Sequence, residues 1–103
     1  MLWSEHAERV ARRNEATEQE WSSYAQRLAT ALRTFRERSG LSQEDVAYRS
    51  GLTRYTYQKY EKGESRPGSP ANPTLRTLIA IAQVLTVSVH ELIPDSPPDI
   101  RAR

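Results

Sequence analysis

Apolar positions recur along this chain with the spacing of helices rather than strands. From Met1 to Gly40 they form two rows, each repeating every seven residues. One row is Trp3, Val10, Thr17, Tyr24 and Ala31; the other is Ala7, Asn14, Trp21, Leu28 and Phe35. Alternating steps of four and three put both rows on one stripe of a helix. Glu5/Arg9 and Glu8/Arg12 are glutamate-first i,i+4 pairs beside the stripe, each worth about 0.2–0.5 kcal/mol. Two arrangements fit this pattern. A single helix from about Ser4 to Arg38 would be about 50 Å long, and its first half would project from a small domain. Alternatively the chain breaks between Asn14 and Thr17, because Thr17 and Glu20 have the spacing of a capping box. We expect the second arrangement, two helices that nearly abut, with Gly40 as the left-handed stop.

Ser42 to Gly63 reads as two short helices around a tight turn at Gly51. Ser42 is the expected N-cap of the first helix and Thr53 of the second. Ala47 is small enough for a close crossing, and glycine at 51 permits positive φ. Val46, Leu52, Tyr57 and Tyr60 supply apolar surface, with the two tyrosine hydroxyls expected at the rim. Arg54, Tyr55, Gln58, Lys59 and Lys62 remain for the outer face. Glu64 to Asn72 has the composition of a loop. Asn72 is the expected cap of the next helix, with Pro73 in its first position. Leu75, Leu78, Ile79, Ala82 and Leu85 form the core face there, with Ile81 at its border. Ser88 and Glu91 have capping-box spacing for a last short helix. The proline-rich end, residues 95–103, is expected to be a flexible tail.

With 103 residues the chain suits one domain and an extension. No apolar run reaches the roughly 20 residues of a membrane span. The start lacks the charged-then-apolar pattern of a secretory signal. There is no cysteine, so disulfides and thiolate metal sites are excluded, and a cytoplasmic location is expected. His6 and His90 are isolated and make no metal site. No glycine-rich phosphate loop or nucleophile motif is present, so neither an enzyme nor a cofactor is expected. Net charge is +2, but residues 1–20 carry three arginines against five glutamates. The acidic start leaves a basic remainder, a modest footprint for nucleic acid.

Leu41-Ser42-Gln43-Glu44, Val46-Ala47, Ser50-Gly51-Leu52-Thr53 and Tyr60-Glu61-Lys62-Gly63 resemble the helix-turn-helix of phage repressors and Cro, the Xre-type family. Pro73 to Leu78, Ile81-Ala82, Leu85, Val87-Ser88 and Glu91-Leu92 match a second block of that family in order. The resemblance covers about Leu28 to Ile93. It implies an all-α, five-helix lambda-repressor-like DNA-binding domain at 21–94, to which the periodicity of residues 1–20 adds an N-terminal helix that the family usually lacks. In that family the second helix enters the major groove. Position by position, the resemblance makes Arg54, Tyr55 and Lys59 base readers. Gln43 and Thr53 become phosphate contacts at helix starts, Gln43 also bracing the first recognition residue. Thr56, Gln58, Lys62 and Arg66 are secondary contacts. It further implies an ion pair between Arg36 and Glu61.

The expectation is a sequence-specific transcriptional regulator, a small dimeric repressor on a palindromic double-stranded operator. Trp3, Ala7 and Val10 are the expected dimer contact, since a buried tryptophan anchors interfaces well. The alternative is a protein-interaction module of the same fold, an antitoxin or regulator partner. Its N-terminal stripe would bind another protein, and its DNA binding would be weak.

Overall fold

The structure, a computed structural model, describes residues 2–101, without the side chains of residues 2–4, 6 and 9–14. Its elements in order are α1 (Leu2–Ser39), α2 (Gln43–Arg49), α3 (Arg54–Lys62), β1 (Glu64–Arg66), β2 (Ser69–Pro70), α4 (Leu75–Leu85) and α5 (Val89–Leu92).

The expected break in the first helix does not occur. α1 is continuous over 38 residues, so the additional N-terminal helix is its first half. Asn14 to Glu20 holds neither proline nor glycine, and Ala16 with its glutamates favours helix. The Thr17–Glu20 spacing is a capping signal that this context overrides. At about 1.5 Å per residue α1 is about 57 Å long, close to the 58 Å longest dimension of the molecule. Ala25, Leu28, Ala29 and Leu32, in its second half, are buried, whereas Glu15, Ala16, Glu18, Gln19 and Glu20 are exposed. Gly40 ends the helix with φ at +70°.

The core joins Leu28 and Leu32 of α1 to Val46 and Ala47 of α2, Tyr57 of α3, Ile81, Ala82 and Leu85 of α4, and Leu92 of α5. Phe35, Leu41, Leu52 and Tyr60 pack around it, partly buried. The core face of α4 is turned from the expected one. Ile81 is fully buried, while Leu75 is 65% exposed and Ile79 is also exposed. Buried Ile81, Ala82 and Leu85, with partly buried Leu78, keep i, i+3, i+4, i+7 spacing from Leu78, shifted round the helix.

The segment expected as a loop contains a small antiparallel hairpin, Glu64 opposite Pro70 and Arg66 opposite Ser69. Pro67 and Gly68 fill its central turn, and Gly68 has φ at +81°. Proline then glycine is the signature of a type II turn. Asn72 does not cap α4. Thr74 does, its hydroxyl accepting from the Thr77 amide at 3.1 Å. Asn72 precedes proline, which biases it to extended backbone and moves the helix start onward. The Ser88–Glu91 capping box at α5 is present. Between Pro94 and Arg101 the described residues form no regular element, but Asp95 accepts from Arg27 at 2.6 Å. The Tyr24 hydroxyl donates to the Pro94 carbonyl at 2.5 Å.

Candidate nucleic-acid interface

α2 and α3 meet at a turn that the sequence writes closely. Ser42 caps α2, accepting from the Asp45 amide at 3.0 Å, and Asp45 accepts from the Ser42 amide at 3.1 Å. Those bonds, the backbone one first, hold the Asp45 carboxyl below its ordinary range. Gly51 takes φ of +75°, which glycine adopts without steric cost. Leu52 donates its amide to the Ala47 carbonyl at 2.8 Å, closing the turn. Thr53 then caps α3, accepting from the Thr56 amide at 3.1 Å and meeting the Thr56 hydroxyl at 3.0 Å.

α3 is fastened from behind. Glu61 is only 3% exposed, and Arg36 reaches it with Nε to Oε2 at 2.6 Å and Nη2 to Oε1 at 3.0 Å. Arg36 Nη1 also donates to the Leu41 carbonyl at 3.1 Å, tying the chain after α1 to the same point. Gln43 Nε2 donates to Glu61 Oε1 at 3.0 Å. Burial alone would raise the Glu61 carboxyl, but the donors around it outweigh burial and hold it below its usual value. The bond to Glu61 raises Arg36 further above its already high value, against the opposing effect of burial.

Tyr57 is fully buried, hydroxyl included, so that hydroxyl does not reach the rim. It lies beside Glu61 and Arg36 without the alignment of a full hydrogen bond to either. Burial first, then the neighbouring carboxylate, pushes it far above the ordinary tyrosine range. Tyr60 is half-buried at the edge of the core.

Three further bonds hold the C-terminal end of α3, and sequence reasoning missed them. Arg33 Nη1 donates to the Glu61 carbonyl, and Gln26 Nε2 donates to the Lys62 carbonyl at 2.8 Å. Gly63 completes the end in the left-handed region and donates its amide to the Tyr60 carbonyl at 3.1 Å. Gln26 and Arg33 lie seven apart, and Arg33 lies three before Arg36. That spacing, one face of one helix, was the available signal.

The front of α3 is open. Arg54 is exposed and makes no hydrogen bond or ion pair with the described residues. Tyr55 is 67% exposed, and the Lys59 ammonium sits 4.2 Å from its ring centroid. Lys62 is exposed, and Thr56 is half-buried beside its cap. Gln43 does not brace Arg54. Its Oε1 accepts from Gln58 Nε2 at 3.2 Å, one turn further along α3. The reason is its other end, which the buried Glu61 carboxylate fixes. Arg66 stands apart on the hairpin, exposed and donating to Ser69 Oγ at 3.3 Å. Ala7 is half-buried on α1, while the side chains of Trp3 and Val10 lie outside the described residues. Among the described residues no group of histidine or acidic side chains is placed to hold a metal, and no helix is long and apolar enough to cross a membrane.

Two short helices crossing at a glycine turn, the second held from within and bare on its outer face, define a helix-turn-helix unit. The comparison with protein families agrees. The model of a helix-turn-helix domain family matches residues 27–92, and the chain belongs to that family, an all-α class of DNA-binding domain. No curated protein and no solved structure matches the chain.

Proposed function

We propose that this protein is a sequence-specific transcriptional regulator of the Xre type, acting as a small dimeric repressor. α3 lies in the major groove of a palindromic operator. Arg54, Tyr55 and Lys59 meet base edges; Gln43, Thr53, Thr56, Lys62 and Arg66 serve the backbone or the groove rim, with Gln58 a further contact in the groove. The observation that carries this reading is the contrast between the two sides of α3. Its inner side is locked by Arg36, Gln43 and the buried Glu61, while Arg54 and Lys62 face outward with no anionic partner among the described residues. A locked helix presents its cations in a fixed register, which base readout needs. One such unit makes few contacts, so two copies share the site, with half-sites about 34 Å apart or a multiple of that. Selecting bound duplexes from a random pool, with the mass of the complex measured, tests the reading. A palindromic sequence bound by two chains is the expected result. A pool with no enriched sequence rejects it.

A second reading has its own support. The first half of α1 projects, and an apolar cleft of about 150 Å³ opens near the base of that projection, walled by Trp21, Tyr24, Leu78, Ile93 and Pro94. A protein partner, the second copy or an unrelated chain, suits such a surface better than DNA does. Trp3, Ala7 and Val10 extend the same sequence stripe toward the tip. If the module serves protein contact chiefly, DNA affinity is weak for every sequence.

A further inference from the structure

A chain of hydrogen bonds runs from the core to the outer side of α3. Arg36 holds both carboxylate oxygens of Glu61, Gln43 Nε2 donates to Glu61 Oε1 at 3.0 Å, and Gln58 Nε2 donates to Gln43 Oε1 at 3.2 Å. The direction of this chain is dictated chemically. An ionised carboxylate only accepts, so Gln43 must turn its nitrogen inward and its oxygen outward. That oxygen also only accepts, so Gln58 must meet it with nitrogen. Reversing either amide would set two acceptors or two donors face to face. Gln58 is left with its Oε1 and one N–H unspent among the described residues.

We propose that Gln58 is a base-reading residue for adenine, its amide polarity set by Glu61 through Gln43. The proposal rests on the reading of α3 as the groove helix. Adenine presents a donor at N6 and an acceptor at N7 side by side, which the Oε1 and the free N–H of one glutamine amide match together. Guanine presents two acceptors there, and one of them would oppose Oε1. Gln58 follows Arg54 by one helical turn, and Lys62 follows Gln58 by another, so the three form one row. The step from Arg54 to Gln58 is about 6 Å along the helix. At 3.4 Å per base step the adenine falls about two base pairs from the base that Arg54 reads. Gln43 touches no base in this arrangement; it is a positioning residue.

The test selects duplexes from a random pool with the full chain, comparing wild type, Arg54→Ala, Gln58→Ala and Gln43→Ala, each first checked by thermal melting to be folded. Wild type is expected to enrich an adenine about two base pairs from the position that Arg54→Ala relaxes, preferred about fivefold to a hundredfold over other bases. Gln58→Ala flattens that position alone. Gln43→Ala keeps Gln58 but frees its amide to turn, so the adenine preference falls while the Arg54-dependent base persists. If Gln58→Ala leaves every base preference as it was, or lowers affinity alike for all sequences, the assignment is overturned while the groove reading stands. If wild type enriches no sequence at all, both are overturned.

Discussion

Arg36 and Glu61 face each other through two nearly parallel bonds, 2.6 and 3.0 Å long, across the junction of α1 and α3. Their side chains are 16% and 2% exposed, so both charges are nearly dry. A pair of this kind adds little relative to an apolar replacement, but removing one partner strands the other. Glu61→Ala should therefore destabilise the fold by about 3 kcal/mol or more. Urea unfolding checks this, and a loss of stability under a few tenths of a kcal/mol would refute it.

The same carboxyl gives a pH dependence of known sign. Its folded value lies below the ordinary 4.5, so the folded state binds the Glu61 proton less readily than the unfolded chain does. Its contribution is complete above pH 4.5 and is lost as pH falls through the lower folded value. Melting temperature should hold steady down to about pH 4.5, fall as the pH drops from there toward the folded value, and owe no further loss to this group below it. Asp45 is shifted the same way from a lower ordinary value, 3.8, so its own loss begins at more acid pH. Glu61→Gln should thus reduce the acid drop without abolishing it.

Two glycines separate backbone strain from crowding. Gly63 and Gly51 have nearly equal φ, +76° and +75°. A Cβ at Gly51 meets open space, whereas one at Gly63 would lie 2.5 Å from Gln26 Nε2, which holds the Lys62 carbonyl. Gly51→Ala should cost about 1–2 kcal/mol from the left-handed conformation alone. Gly63→Ala should cost more, since Gln26 must abandon its bond. Equal losses in a denaturant titration would contradict this.

On the DNA side, Arg54→Ala should lower affinity for the selected site by about 1–3 kcal/mol and relax one base position. Tyr55→Ala should act more mildly, through Lys59, whose ammonium loses the ring beside it. Binding curves on matched and altered duplexes distinguish the two. A uniform loss over all duplexes for Arg54→Ala would mean a phosphate contact instead.

Removing residues 1–20 takes away the half of α1 whose described glutamates face solvent and keeps the half that builds the core. The shortened chain should melt as a folded unit and run at the mass of a monomer in analytical ultracentrifugation. A dimer that survives the truncation would move the pairing surface to the domain itself.

Local signals were the legible part. The serine and threonine caps at 42, 53 and 88 and the glycine stop at 40 are written in single residues, and each is found in place. Thr17 shows the limit of such signals, since a hydroxyl with a glutamate three residues on fits a cap and an exposed helical turn equally. The face of α4 was misjudged because Leu75 and Ile79 are as apolar as Ile81, and only packing against α1 and α2 selects among them. The partner of Gln43 was likewise hidden. Reach alone allows Arg54 or Gln58, and the choice follows from the buried carboxylate at the other end of the amide.

One consequence follows from the unbroken first helix. Because no hinge divides it, the tip of α1 and the Arg36 clamp on α3 share one angular phase. An inserted residue near position 15 would turn the tip by about 100° relative to α3, whereas seven would restore its heading. Whatever the tip meets, its bearing relative to α3 is set by counting residues.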